Sequence, residues 1–380
     1  MQASQLVVSK PLFIYLDSSD FSYLSDPAGD QEKNLAIKNK LKKWVGAGQV
    51  EIRYSMTHIM EALPTQEKAM ELGRHRLSCI QELCGKKVFL DQITLITDEL
   101  SSQKKQSVVN DDGCWFPISA FSDGIFEDGE KAAAFNRKER RLLAAELRKS
   151  RGELDFAKEK AKLIRQFPVT RSGASKILSN PNNSAAFQSV MVESLSDLPN
   201  LFSWHEQHWQ MQTEFSNILR ESGVGIRDIF IDASRELKAY YQEQQVLGEP
   251  DKVVDQKIKA FVANLTSSAP RDLAATLSDD RAPHSEPVVI GIETTPMLFV
   301  LSKLMMHYVQ ASVVPRQQSR VPKTSDLGDV MHALYLPYVD FFRADAATAH
   351  AINSQHFGFD AVVVTSLDQL VYEVGVRLGE

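Results

Sequence analysis

The chain has 380 residues, of which 43% are hydrophobic and 24% charged, with 18 Gly and 15 Pro. These globular proportions exclude a wholly disordered chain, a collagen-like repeat and a coiled-coil rod, and the length suits about two domains. The net charge of −6 excludes an evenly basic nucleic-acid coat, while a local basic face stays possible.

Residues 12–16 form a short apolar run that ends at Asp17 and predicts a buried strand. Ser18, Ser19 and Asp20 supply cap residues for the next turn. Residues 33–45 carry Leu35, Ile37, Leu41, Trp44 and Val45 near helical spacing, and Gly46 and Gly48 end that helix. A second strand is predicted over 50–54. Ser55 and Thr57 are cap candidates for a helix that carries Ile59, Met60, Glu61 and Leu63. This strand–helix–strand–helix order argues for a parallel sheet.

From about 95 to 285 strand signals are few. Residues 98–130 read as acidic and loop-like. Residues 131–165 read as helical, with twelve Lys/Arg against five Asp/Glu, among them Arg137, Lys138, Arg140 and Arg141. Residues 205–265 read as amphipathic helices with Leu219, Ile226, Ile229, Phe230, Leu237 and Tyr241 as core candidates, and 266–287 as a linker. Alternation then resumes. A strand is predicted over 288–292, followed by Thr294, Thr295 and Pro296 as the start of a helix over 297–310. A basic loop with Arg316, Arg320 and Lys323 precedes a helix from Asp326 to about Leu336. Asp340 leads into a strand over 341–343, which Asp345 ends. A helix over 346–355, a strand over 361–364 and a helix over 366–378 complete the pattern.

Cys79, Cys84 and Cys114 are too few and wrongly spaced for a disulfide framework, a redox pair or a zinc site, and read as ordinary buried thiols in a reducing, cytoplasmic setting. No basic leader precedes a long apolar stretch. The apolar run 297–314 is interrupted by Lys303, His307 and Gln310, so no membrane partner is expected. His205 and His208 lack zincin spacing, and no phosphate-binding glycine loop appears.

The carboxylates carry the chemistry. Asp17 ends the first strand, Glu61 lies on the helix after the second, Asp329 opens a late helix, and Asp345 ends the next strand. Ligands of a parallel α/β sheet bind at the carboxyl edge of its strands. Four acids converging there repel one another unless protons or a cation intervene, and oxygen donors suit Mg²⁺ or Mn²⁺. Each acid also has a structural role open to it. Asp17, Asp326 and Asp329 can cap helices, Glu61 can sit on a solvated face, and Asp340 is either an auxiliary ligand or a strand-entry residue.

In this ordered set, with Ser55–Glu61, Ser325–Asp345 and the closing Phe359–Leu370, the chain resembles PIN-like domain ribonucleases. The resemblance covers about 1–95 and 286–380. It implies a three-layer, Rossmann-like α/β fold with a parallel sheet, interrupted by a large mostly helical insertion over 96–285. It also implies a divalent-metal-dependent nuclease, acting on RNA before DNA, with Asp17, Glu61, Asp329 and Asp345 as catalytic metal ligands. Arg316, Arg320, Lys323 and His332, with Arg137, Lys138, Arg140 and Arg141, are the candidates for contacting the nucleic-acid backbone. The insertion is the candidate surface for a protein partner. Two other functions stay open: a non-catalytic PIN-like binding or assembly module, and a helical interaction protein of a defence or toxin–antitoxin system.

Overall fold

A computed structural model describes residues 10–64, 66–118, 156–179, 183–208, 235–236, 238–257, 260, 289–313 and 324–380. In chain order the first elements are β1 (Leu12–Tyr15), α1 (Ser18–Ser25), α2 (Gln31–Gly46), β2 (Val50–Ile52), α3 (Met56–Ala62) and α4 (Met70–Cys84). Next come β3 (Val88–Phe89), α5 (Gln92–Ser102), β4 (Val109–Asn110), α6 (Phe156–Gln166), α7 (Arg171–Ser179), α8 (Ser184–Leu195) and α9 (Leu198–His208). The last are α10 (Pro296–Val313), α11 (Thr324–Ala333), β5 (Phe341–Arg343), α12 (Ala346–Gln355), β6 (Val362–Val364) and α13 (Leu367–Leu378).

The protein is α/β. Four parallel strands pair in the order β2-β1-β5-β6, with Ile14 facing both Ile52 and Phe341 across the ladder, and Phe342 facing Tyr15 and Val363. Period-2 alternation divides the strands between two cores. Ile14, Leu16, Phe341 and Val364 point into one cluster, with Trp44 of α2, Leu77 of α4 and Leu370 of α13. Tyr15 and Phe342 point into the other, with Leu95 of α5, Leu298 of α10, Val330 of α11 and Ile352 of α12. Helices thus cover both faces, which is why β1 is apolar at every position. Helices α6 to α9 belong to the first cluster through Phe187, Met191, Leu198 and Trp204, so this part of the predicted insertion packs onto the sheet's own core.

Arg53 joins the sheet to its flank. Buried just past β2, it ion-pairs with Glu51 and with Asp111 (2.7 Å), and donates to the carbonyls of Val88 (3.0 Å) and Asn110 (2.9 Å). These bonds hold the antiparallel β3–β4 pair beside β2, with Tyr54 bridging to Val88 in parallel.

Several expectations change. No strand forms over 289–292. There the Val289 carbonyl accepts from the hydroxyl of Thr294 (2.6 Å), and its N–H donates to Gln103 Oε1 (2.9 Å), so one local and one distant side chain take the ladder's place. The stretch read as loop from residue 98 begins inside α5, and β4 follows it. Helix α11 starts at Thr324, two residues before Asp326, and stops at Ala333, ahead of a 3₁₀ turn over Leu336–Tyr338. Asp329 is therefore in the helix interior and is no cap. Tyr241 is buried as expected, whereas Leu219, Ile226, Ile229, Phe230 and Leu237 lie outside the described residues. The three cysteines are buried and free. Among the described residues no helix is long and apolar enough to cross a membrane.

The second core contains one unusual joint. Glu99 of α5 is fully buried, and its Oε2 accepts from the N–H of Met297 in the first turn of α10 (3.1 Å), while Oε1 has no hydrogen-bond partner. Burial pushes its carboxyl up to about 8, against the Met297 hydrogen bond and the Lys105 charge. The folded state therefore holds a proton that the unfolded chain releases near the ordinary carboxylate value. This contribution favours folding at low pH, and it is lost as pH rises from about 4.5 to about 8, by on the order of 1.4 kcal/mol per unit at most. Glu99→Gln keeps the acceptor and removes the titration. Urea unfolding at either end of that window is expected to show the variant losing less stability than the parent and surpassing it at the alkaline end. Parallel losses in both proteins refute this assignment.

Candidate active site

The strand order puts the sheet's switch point between β1 and β5, whose chain neighbours β2 and β6 lie on opposite sides. Asp17 follows β1 and Asp345 follows β5 by two residues, so both stand on the carboxyl edge where such folds bind ligands. Each is also a helix N-cap. Asp17 Oδ1 accepts from Ser19 N (2.7 Å) at the start of α1, and Asp345 Oδ1 from Thr348 N (2.6 Å) at the start of α12. The caps fix one oxygen of each acid; the other oxygen of Asp17 faces Arg343.

Glu61 and Asp329 arrive from the two helical layers. Glu61, in the last turn of α3, lies against α11, and an added Cβ at Gly328 would meet its Oε1 at 2.6 Å. A glycine is needed there for the carboxyl to approach the helix. Glu61 Oε2 sits 3.3 Å from His332 Nε2. Asp329, next to Gly328, is half-buried. Burial, with the charges of Asp345, Asp17 and Glu61, pushes its carboxyl up to about 7, against His332. For Glu61 burial also works upward, but hydrogen bonds from His332 and Ser18 and the His332 charge overrule it and hold the group at about 2.

Two internal cations stand among these acids. Arg343, on β5, pairs with the fully buried Asp20 at 2.8 Å without hydrogen-bond alignment, and its Nη1 lies 3.6 Å from Asp17 Oδ2. Burial pushes Asp20 up to about 7 despite Arg343. Asp20 also completes the capping box by accepting from Asp17 N (2.9 Å). The second cation is His332. Burial lowers its affinity for a proton, but the Glu61 hydrogen bond and the charges of Glu61, Asp17 and Asp329 raise its pKa on balance.

A buried polar chain runs from His332 to His58. Tyr15 Oη lies 2.6 Å from His332 Nδ1 and 2.9 Å from Ser55 Oγ, and the Ser55 N–H donates to His58 Nδ1 (3.0 Å), which makes that nitrogen an acceptor. His58, which burial and the His332 charge hold neutral at about 3, donates its Nε2–H to the Leu16 carbonyl (2.8 Å). Every polar group in the chain finds a role, as a dry interior requires.

The other residues singled out from sequence fall differently. Asp340 lies at the opposite, amino edge of β5, where its Oδ2 accepts from Phe13 N (2.7 Å). There it lines a cavity of about 420 Å³ with Lys10, Lys105, Glu293, Tyr338 and Asp360, away from the four acids, so it is a strand-entry residue and no auxiliary ligand of the cluster. His332 is buried and engaged on both nitrogens, which rules out the expected contact with a phosphate. Arg137, Lys138, Arg140, Arg141, Arg316, Arg320 and Lys323 lie outside the described residues. His205 and His208 bond to the carbonyls of Pro64 and Trp204 as ordinary helix residues.

Sequence reasoning missed Tyr15, Ser18, Ser55, His58 and Arg343 as parts of the site. Only the hydrophobic placement of Ser, Tyr and His beside the acids signalled them. Among the described residues no three carboxyl, imidazole or thiol groups close on one centre at metal-binding range. The donor chemistry nevertheless suits a hard divalent cation, since the acids are oxygen donors whose crowding keeps Asp329 from ionising freely. The chain matches no protein-family model, and comparison with curated proteins and with solved structures gives no match either.

The Glu61–His332 contact can be read directly. Removing the Glu61 charge in Glu61→Gln is expected to lower the His332 midpoint in an NMR pH titration, because the hydrogen bond to Glu61 and its charge are the largest of the influences that raise it. Gly328→Ala, whose methyl must push Glu61 aside, is expected to move the midpoint the same way. The methyl meets only the far end of a flexible side chain, so the displacement is cheap and about 1 kcal/mol of helix propensity offsets it. An unmoved midpoint in both variants refutes the contact.

Proposed function

We propose that the protein is a divalent-metal-dependent nuclease built on a PIN-like α/β fold and that it hydrolyses phosphodiester bonds, in RNA before DNA. The observation that supports the reading is the electrostatic coupling of Asp329 to Asp345, Asp17 and Glu61, drawn from four distant segments beside the switch point of a parallel sheet. In the proposed assignment Asp17, Asp329 and Asp345 would hold Mg²⁺ or Mn²⁺. Bound there, the ion would supply charge neutralisation and a water of lowered pKa. Glu61, kept ionised at neutral pH and fixed by His332, orients the attacking water or shares the metal. Arg316, Arg320 and Lys323, just ahead of α11 in the chain, keep their proposed role on the substrate backbone.

A second reading, a non-catalytic binding or assembly module on the same fold, draws on two observations. Arg343 sits against Asp17, and among the described residues no three donors close on one centre.

One experiment separates the two readings. Purified protein is incubated with end-labelled single-stranded RNA, single-stranded DNA and duplex in Mg²⁺ or Mn²⁺. The nuclease reading expects cleavage that EDTA abolishes. Asp17→Asn, Asp329→Asn or Asp345→Asn should each slow it by about a hundredfold or more. No cleavage of any substrate, or cleavage indifferent to all three substitutions, overturns the nuclease and favours the module.

A further inference from the structure

Carboxylates alone repel a polynucleotide, so the proposed reaction needs a cation that can reach the substrate backbone beside them. Of the arginines that the structure describes near the crevice, Arg343 is turned inward onto Asp20 and Asp17. Arg74, on α4, is paired with Glu206 (2.5 Å) and lies over the Phe202 ring.

We propose that Arg76, two residues further along α4, grips a backbone phosphate of the polynucleotide next to Glu61; this rests on the nuclease reading. Its Nη1 donates to the main-chain carbonyl of Glu61 (2.6 Å), which anchors the guanidinium at the carboxyl end of α3, the helix that brings Glu61 to the site. That bond uses one of the five N–H groups of the fork. The Nε is buried without a hydrogen-bond partner, and Arg76 makes no ion pair with any described residue. Burial works against the guanidinium charge, and the neighbouring Glu61 works for it. A half-buried, anchored and otherwise open fork beside a carboxylate has the geometry that a phosphate satisfies with paired N–H···O bonds. Arg74 shows what the same helix does with an arginine whose role is structural: it gives it an acid and a ring.

The test is binding of a fluorescently labelled single-stranded RNA to the full chain, followed by anisotropy in EDTA over a range of salt concentrations. Arg76→Gln is expected to weaken binding about tenfold and to reduce the slope of log K against log salt by about 0.7, the signature of one lost phosphate contact. Arg76→Lys keeps the charge but loses the fork, so its slope should stay while its affinity falls several-fold. Arg74→Gln, on the same helix, should leave the slope unchanged. Thermal melts check that each variant folds. If Arg76→Gln does not fold, Arg76→Lys carries the test, and undiminished affinity overturns the proposal. Wild-type affinity and slope in a folded Arg76→Gln overturn Arg76 alone and leave the nuclease standing. A wild-type protein that neither binds nor cleaves any nucleic acid overturns both.

Discussion

Burying carboxyls that feel one another's charge costs free energy, and in this protein the counter-charges are internal. Two unit charges at 4 Å interact by about 4 kcal/mol at the effective dielectric of a protein surface. Four acids at one sheet edge therefore cannot be left to themselves. Arg343 answers Asp20 and Asp17 from within the sheet, and His332 answers Glu61 from α11. Asp329 forms no ion pair with a described residue, and burial together with the charges of Asp345, Asp17 and Glu61 raises its pKa against His332. Strand order, caps and the Gly328 approach all serve this balance.

The buried chain from His332 to His58 ties the site to the core. Tyr15 stacks on Tyr335 and Phe342, with ring centroids 5.4 and 5.2 Å apart, so the residue that orients His332 is itself clamped by the aromatic layer between sheet and helices. Glu61 thus owes its position to packing on β1 as well as to its own helix. The two imidazoles, with ring centroids 4.7 Å apart, are pushed in opposite directions: burial and the His332 charge lower His58, whereas the Glu61 hydrogen bond and the charges of Glu61, Asp17 and Asp329 raise His332 against its burial.

Much of this was legible from residue order. β1, α12 and α13 follow directly from apolar spacing bounded by Asp17, Asp345 and Ser366, since strong local caps and strong periodicity agree there. The rule for parallel sheets led to Asp17 and Asp345 at the carboxyl edge, where both stand. What sequence could not disclose was the pairing. Asp20 reads as a cap and is one, yet its main surroundings are Arg343, three hundred residues away in the chain. Val289 and Ile290 have the composition of a strand, but the hydroxyls of Thr294 and Thr295 satisfy the backbone locally. Asp340 and Asp345 look equivalent in sequence, and only the direction of β5 sends them to opposite edges.

The central ladder joins Ile14 to Phe341 and Tyr15 to Phe342. A ribosome that has made β1, α3 and every helix of the middle section has therefore made half of the acid cluster and none of its other half. Until α11 and β5 emerge, β1 lacks its neighbour on one side, Glu61 lacks His332, and Asp20 lacks its arginine. A nascent or truncated product carries Asp17 and Glu61 on an open edge with no way to assemble the crevice. Any activity of that crevice is thus withheld until nearly the whole polypeptide has been synthesised, and slow closure of this long-range pairing is the step at which assembly is most exposed to misfolding.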